Sequence, residues 1–225
     1  MRILVFLFLF FSNSILAAST QVAIVIDDIG YRHTDRFALD LPGNITYSIL
    51  PHTPFGKRLA LRAHQQNHDV LLHIPMEADN GKRLGPGALT SEMSEQNIRD
   101  SLKSAFDEIP FAIGINNHMG SKLTKLYRPM AWTMRYLKEQ NRLFLDSMTT
   151  DDSKAGKIAG LFGVPTLYRQ VFLDNRLTRD YIHQQFHQLI DKAQSHSSAV
   201  AIAHPHPETI SALTELIPLL ADNGI

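Results

Sequence analysis

Asp27 and Asp28 stand side by side where the apolar run 22–26 ends, in the stretch VAIVIDDIG. Other apolar runs finish in a similar way: YSILPH on His52, DVLLH on His73, GINNH on His118, LFLD on Asp146, VFLD on Asp174, and AIAHPH on His204 and His206. Asp and His bind zinc through oxygen and nitrogen, and histidine exchanges protons near neutral pH. Two adjacent carboxylates that both ionise repel one another, so a bound cation, or a proton held by one of them, is the economical explanation of the pair. A helix cap or a turn acceptor beside Gly30 is the alternative, and it explains one carboxylate rather than two.

The elements that would position these residues follow from the apolar pattern. Strands are expected near 22–26, 45–50, 70–72, 111–115, 143–145, 170–173 and 199–203, and helices over 55–66, 95–109, 129–140, 179–194 and 208–221. Ser94 is the expected N-cap of the second helix, with Glu95 in its first turn, and Pro129 suits the first turn of the third. Near-continuous apolar strands alternating with helices indicate a parallel sheet covered by helices. Seven such strands predict a single-domain α/β fold, an incomplete or distorted (β/α)7 barrel. In such folds the carboxyl ends of the strands form one face, where residues distant in sequence assemble a site.

At the N-terminus Arg2 precedes the apolar run 3–11, and Ala17 and Ala18 follow, which is the layout of a secretory signal peptide over 1–18. A membrane anchor is the competing reading, but a span needs ~20 apolar residues and Ser12, Asn13 and Ser14 interrupt this run. The domain over 19–225 is therefore expected to be secreted or periplasmic, with no stable membrane insertion after cleavage. With no cysteine, neither a disulfide framework nor a thiolate zinc cluster is available. The 22 basic and 22 acidic residues balance to a net charge of +0 without long runs of either sign, which speaks against nucleic acid as a partner.

Several polar residues have plain readings. His52 alone reads as a loop histidine, and His183 and His187, at i, i+4 spacing in HQQFH, lack the Glu of the zincin helix and read as an exposed helical face. Residues 77–93, with three glycines and a proline, are either a surface connection or a loop covering substrate, and the second reading is preferred. Asn223 and Gly224 read as a helix terminator and Ile225 as the first residue of a further strand.

Taken together, IVIDDIG, LLHIPME, GINNHMGS, LFLDS and AIAHPH resemble, in order, the motifs of the divergent polysaccharide deacetylases, a branch related to the metal-dependent carbohydrate esterases. The resemblance runs from Val22 to the terminus. It implies a deacetylase-like barrel in which Asp27 is the general base, Asp28 and His73 are metal ligands, His204 is the general acid and Asp146 orients that acid. Glu77 stands where the second metal histidine of the broader deacetylases is expected, and His118 is the implied substitute, in a segment where those enzymes carry an arginine-proline motif.

The chemistry can be stated without the family. Two histidines and a carboxylate with an open fourth position suit Zn2+ or another divalent cation and a bound water of pKa about 7. Hydrolysis of an N-acetyl amide then needs a base, Asp27, and an acid for the departing amine, His204. The expected function is an exported metal-dependent hydrolase removing N-acetyl groups from a cell-envelope polysaccharide. The alternative is a non-catalytic, metal-containing module that binds a glycan or an envelope protein. Intact Asp27 and His204 favour the first, whereas the altered second and third motifs favour the second.

Overall fold

The computed structural model describes residues 20–225, so the expected signal peptide lies outside the described residues. Eight parallel strands form one sheet: β1 (Gln21–Ile29), β2 (Ile45–Ile49), β3 (Val70–Met76), β4 (Gly114–Met119), β5 (Leu143–Asp146), β6 (Thr166–Tyr168), β7 (Val171–Phe172) and β8 (Ser198–Ala203). Their order is β6-β5-β4-β3-β2-β1-β8-β7. β6 and β7 occupy opposite edges yet only Arg169 and Gln170 separate them in sequence. The Arg169 N–H donates to the Asp146 carbonyl on one edge and the Gln170 N–H to the Val200 carbonyl on the other. One extended segment therefore touches both edges and curls the sheet into the expected distorted barrel.

Helices α1 (Gly56–Gln65), α2 (Glu95–Glu108), α3 (Tyr127–Glu139), α4 (Ala155–Phe162), α5 (Arg179–His196), α6 (Pro207–Leu216) and α7 (Leu219–Asp222) connect or follow the strands. Ser94 caps α2, its Oγ accepting from the Asn97 N–H at 3.2 Å. The helix expected over 208–221 is instead two, α6 and α7, with Pro218 at the N-cap of the second. Proline has no N–H to continue the ladder. Gly224, at φ 70°, then closes α7, and the Ile225 N–H donates back to the Leu220 carbonyl at 3.1 Å. Ile225 thus closes the end of α7 and packs on the core.

The period of two along a strand sorts side chains to the two faces of the sheet. Ile24, Ile26, Tyr47, Leu72, Ile115 and Phe144 face the helices and belong to the main core. Val25, Leu71, Leu145, Val200 and Ile202 form a separate cluster inside the curl. Further along the same strands, toward their carboxyl ends, the buried residues become polar: Asp27, Ser48, His73 and Asn116. A plug of aliphatic side chains thus floors a polar pocket.

Candidate metal centre and active site

Adjacent residues on a strand point to opposite faces, so two neighbouring carboxylates in one pocket require a break in the pleat. β1 supplies it. Ile26 pairs with Tyr47 and Ile29 with Ile49, so β1 spends three steps where β2 spends two. Asp28 takes φ 61°, which a non-glycine residue adopts at a cost. Ile26 and Ile29 therefore both face the helices and are fully buried, while the bulge leaves Asp27 and Asp28 for the pocket.

Asp28, His73 and His118 converge there as a group able to hold a metal ion. Asp28 Oδ1 lies 3.1 Å from His73 Nε2 and 2.8 Å from His118 Nδ1, and the two ring nitrogens are 3.2 Å apart. Ligand atoms on a tetrahedral zinc lie about 3.3 Å from one another, given bonds of about 2.0 to 2.1 Å. The triangle is close to that size. Asp28 Oδ1 is buried and no hydrogen bond of acceptable geometry reaches it, so the donor set is oxygen, nitrogen and nitrogen around an unsatisfied anion. These residues fit a divalent cation.

The electrostatics agree. Burial raises the pKa of Asp28, but His118 and His73 outweigh it and hold the carboxyl far below the usual range. Burial disfavours the His73 imidazolium, yet Asp27 and Asp28 outweigh that and raise its pKa. For Asp27 burial dominates and pushes the carboxyl up against the opposing charges of His73 and His204. The pocket draws positive charge, as protons or as a cation.

Asn116, absent from the sequence expectations, ties the site together. It is fully buried; its Oδ1 accepts from Ser48 Oγ and meets His73 Nδ1 at 2.7 Å. Its Nδ2 donates to Asp27 Oδ1 at 2.7 Å. An amide oxygen can only accept, so His73 Nδ1 carries the hydrogen and Nε2 turns its lone pair toward the triangle. One side chain thereby orients a candidate ligand and the expected base.

His204 faces Asp28, with Nε2 3.9 Å from Asp28 Oδ2, and its ring stacks on Phe172. The carboxylate that orients it is Asp174, not Asp146. Asp174 Oδ1 lies 3.0 Å from His204 Nδ1, while Oδ2 accepts from the His204 backbone N–H and from Thr209 Oγ1. Asp146 instead accepts from Ser153 Oγ and the Met148 N–H. The reason is strand parity: Leu145 faces the interior and Phe144 the helices, so Asp146 follows Phe144 outward. Burial works against the His204 imidazolium, but the Asp174 contact, with Asp28 and Asp27, pushes its pKa up to about 9. His206 completes a second group with Asp174 and His204, but the Asp174 oxygens are already occupied by hydrogen bonds.

Glu77 has its own task. Its Oε2 accepts from the Ser91 N–H and its Oε1 pairs with Lys122, both at 2.6 Å. Its backbone N–H donates to the carbonyl of Leu89, a fully buried residue. The 77–93 segment is therefore tethered against the strand ends beside the triangle. His52 is engaged by Glu108, and His183 and His187 sit on α5 outside both candidate metal groups.

The sequence model of the divergent polysaccharide deacetylases matches residues 24–225. The chain belongs to this family. An uncharacterized Escherichia coli K12 protein, YibQ, is 39% identical over 207 residues, covering 92% of this chain and 64% of its own length. The chain thus spans just under two thirds of that relative. The crystal structure of the uncharacterized protein ATU2773 from Agrobacterium tumefaciens C58 is similar at a TM-score of 0.89 and 26% identity, over 93% of this chain and 87% of that one. A family 4 carbohydrate esterase from Streptomyces lividans, solved in complex with acetate, shares the fold at a TM-score of 0.57 and 13% identity, over 92% of this chain and 91% of that one. Among the described residues no helix is long and apolar enough to cross a membrane.

Proposed function

We propose that this deacetylase-family chain is an exported, metal-dependent hydrolase that removes N-acetyl groups from a polysaccharide of the cell envelope. The observation that carries the reading is the placement of an acid-base pair around the donor triangle. His204 approaches Asp28, and Asp27 Oδ2 lies 3.6 Å from His73 Nε2. A divalent cation held by Asp28, His73 and His118 would supply Lewis-acid polarisation of an amide carbonyl, acidify water, and add the charge that keeps Asp27 ionised.

The chain's own residues divide the proton work. Asp27, fixed by Asn116, takes the proton of the attacking water. His204, held by Asp174 through Nδ1, presents Nε2–H to the departing amine nitrogen. Burial of Asp27 and the apolar plug beneath it limit competing water. A pure binding module has no use for an imidazolium held by a buried carboxylate, which favours hydrolysis over that alternative.

Bound zinc per chain and acetate release from N-acetylated oligosaccharides test the proposal. Asp28→Ala, His73→Ala and His118→Ala should lose both. Asp27→Asn and His204→Ala should keep zinc while losing roughly 10²- to 10⁴-fold in turnover. A parent protein that loads zinc, binds glycan and releases no acetate would overturn hydrolysis in favour of binding. Export is tested separately by the N-terminus of the protein recovered from the periplasm, expected after Ala17 or Ala18; recovery from Met1 in the cytoplasm would refute it.

A further inference from the structure

A cleft of about 600 Å³ opens beside the candidate metal centre. Its wall includes Tyr31, Leu50, Pro75, Arg83, Leu84 and His118, and His118 is also a corner of the donor triangle. The outer wall is the 77–93 segment that Glu77 tethers, held further by Ser101 Oγ on the Gly87 carbonyl at 2.8 Å. Tyr31 is 49% exposed, and its hydroxyl lies so near Gly85 that a Cβ there would approach to 3.0 Å. The cleft is therefore a built groove with an aromatic at one side and apolar walls, suited to the apolar face of a sugar ring.

Its charge is unbalanced in one direction. Nearby Lys122 and Lys125 are neutralised by Glu77 and Asp79. Arg83 lines the cleft and, among the described residues, has no carboxylate partner and no side-chain hydrogen bond. No Asp or Glu lines the cleft with it. A planar guanidinium with free donors matches a carboxylate in a two-pronged contact.

We propose that this cleft is the subsite for the sugar next to the one deacetylated, and that Arg83 selects a neighbour bearing a carboxylate, making the substrate an acidic N-acetylated glycan. Tyr31 packs against the ring, Arg83 takes the carboxylate, and the N-acetyl group of the adjoining sugar is thereby brought to His118 and its partners. The inference rests on the hydrolase reading for the word substrate, but the binding preference stands independently of turnover.

The experiment is a calorimetric titration of the zinc-loaded protein with two probes. One is a hexasaccharide alternating N-acetylglucosamine with glucuronic acid, and the other is the same hexasaccharide with its carboxylates reduced to alcohols. Acetate release is measured in parallel. The acidic probe should bind on the order of tenfold more tightly, and raised salt should shrink that preference. Arg83→Ala should abolish the preference, leaving binding of the reduced probe and zinc content unchanged, while Arg83→Lys should restore part of it. Preference without acetate release would sustain the subsite and refute hydrolysis. Acetate release with equal affinity for both probes would sustain hydrolysis and refute the subsite. Binding of neither probe, or equal loss on both in Arg83→Ala, would also overturn the proposal.

Discussion

Glu77→Gln separates a loop tether from a metal ligand. Glu77 occupies the position where the broader family pattern calls for a histidine, yet its carboxylate contacts Lys122 and Ser91. These contacts lower its pKa from 4.5 to about 2, the Lys122 hydrogen bond outweighing a small burial cost. Glutamine keeps the shape and one acceptor but removes the charge. Because the site is largely solvated, the loss is discounted to roughly that of turning a charge-assisted hydrogen bond into a neutral one, about 1 kcal/mol. That corresponds to about a fivefold rise in local opening of the 77–93 segment. The assay is amide hydrogen exchange at Ser91 and Leu89, with zinc content measured beside it. A lowered folded-state pKa stabilises above the unfolded value and is lost as pH falls. Protection in the parent should therefore decline between about pH 4.5 and 2, and in Glu77→Gln it should be weaker and flat across that window, zinc binding being unchanged at neutral pH. A variant that loses zinc, or a parent with no pH dependence there, would refute the tether.

Asp174→Asn should move the alkaline limb of acetate release to lower pH, because the raised His204 pKa of about 9 depends on that carboxylate; the acid form is present below the pKa and lost above it. A bound cation lowers parent and variant together, so the displacement of the limb in a pH-rate profile is the readout, and a loss uniform across pH would count against the assignment. Asn116→Ala should cost about 3 kcal/mol in denaturant unfolding, since it strands buried partners in Ser48, His73 and Asp27, and should weaken zinc binding without removing a ligand. An unfolding midpoint within experimental error of the parent would contradict that role.

The strand-end polar residues were legible because the fold class makes their common face nearly obligatory: Asp28, His73 and His118 meet although their strands are far apart in sequence. Their shared pocket could be anticipated from residue type alone. What type alone concealed was parity. Phe144 and Leu145, which precede Asp146 on opposite faces, are both apolar, so the letters do not reveal which way the carboxylate turns; the pairing of β5 with β4 and β6 decides it. Asn116 was hidden for another reason, since asparagine neither titrates nor ligates strongly, although its position two residues before His118 places it on the same face. β6 is not apparent in the letters because Thr166–Tyr168 is short and largely exposed, and β4 begins three residues later than expected and runs on to Met119 because polar Asn116 and Asn117 continue the strand into the pocket. The bulge in β1 leaves no mark beyond the doubled aspartate itself.

The neighbours of β1 bear on how the chain can fold. Its central place in the sheet pairs Ile24 with Ile45 on one side and with Ala201 on the other. Of the described strands, the first to emerge from a ribosome or a translocation channel therefore has to wait for the eighth before its backbone is satisfied on both edges. Loop closure over that separation is slow, and until it happens the edge of β1 from Gln21 to Ile26 is unpaired. The same topology leaves the nascent edge of β1 open to pairing with other chains, so exposure before residue 203 arrives is the interval in which a chaperone would matter most.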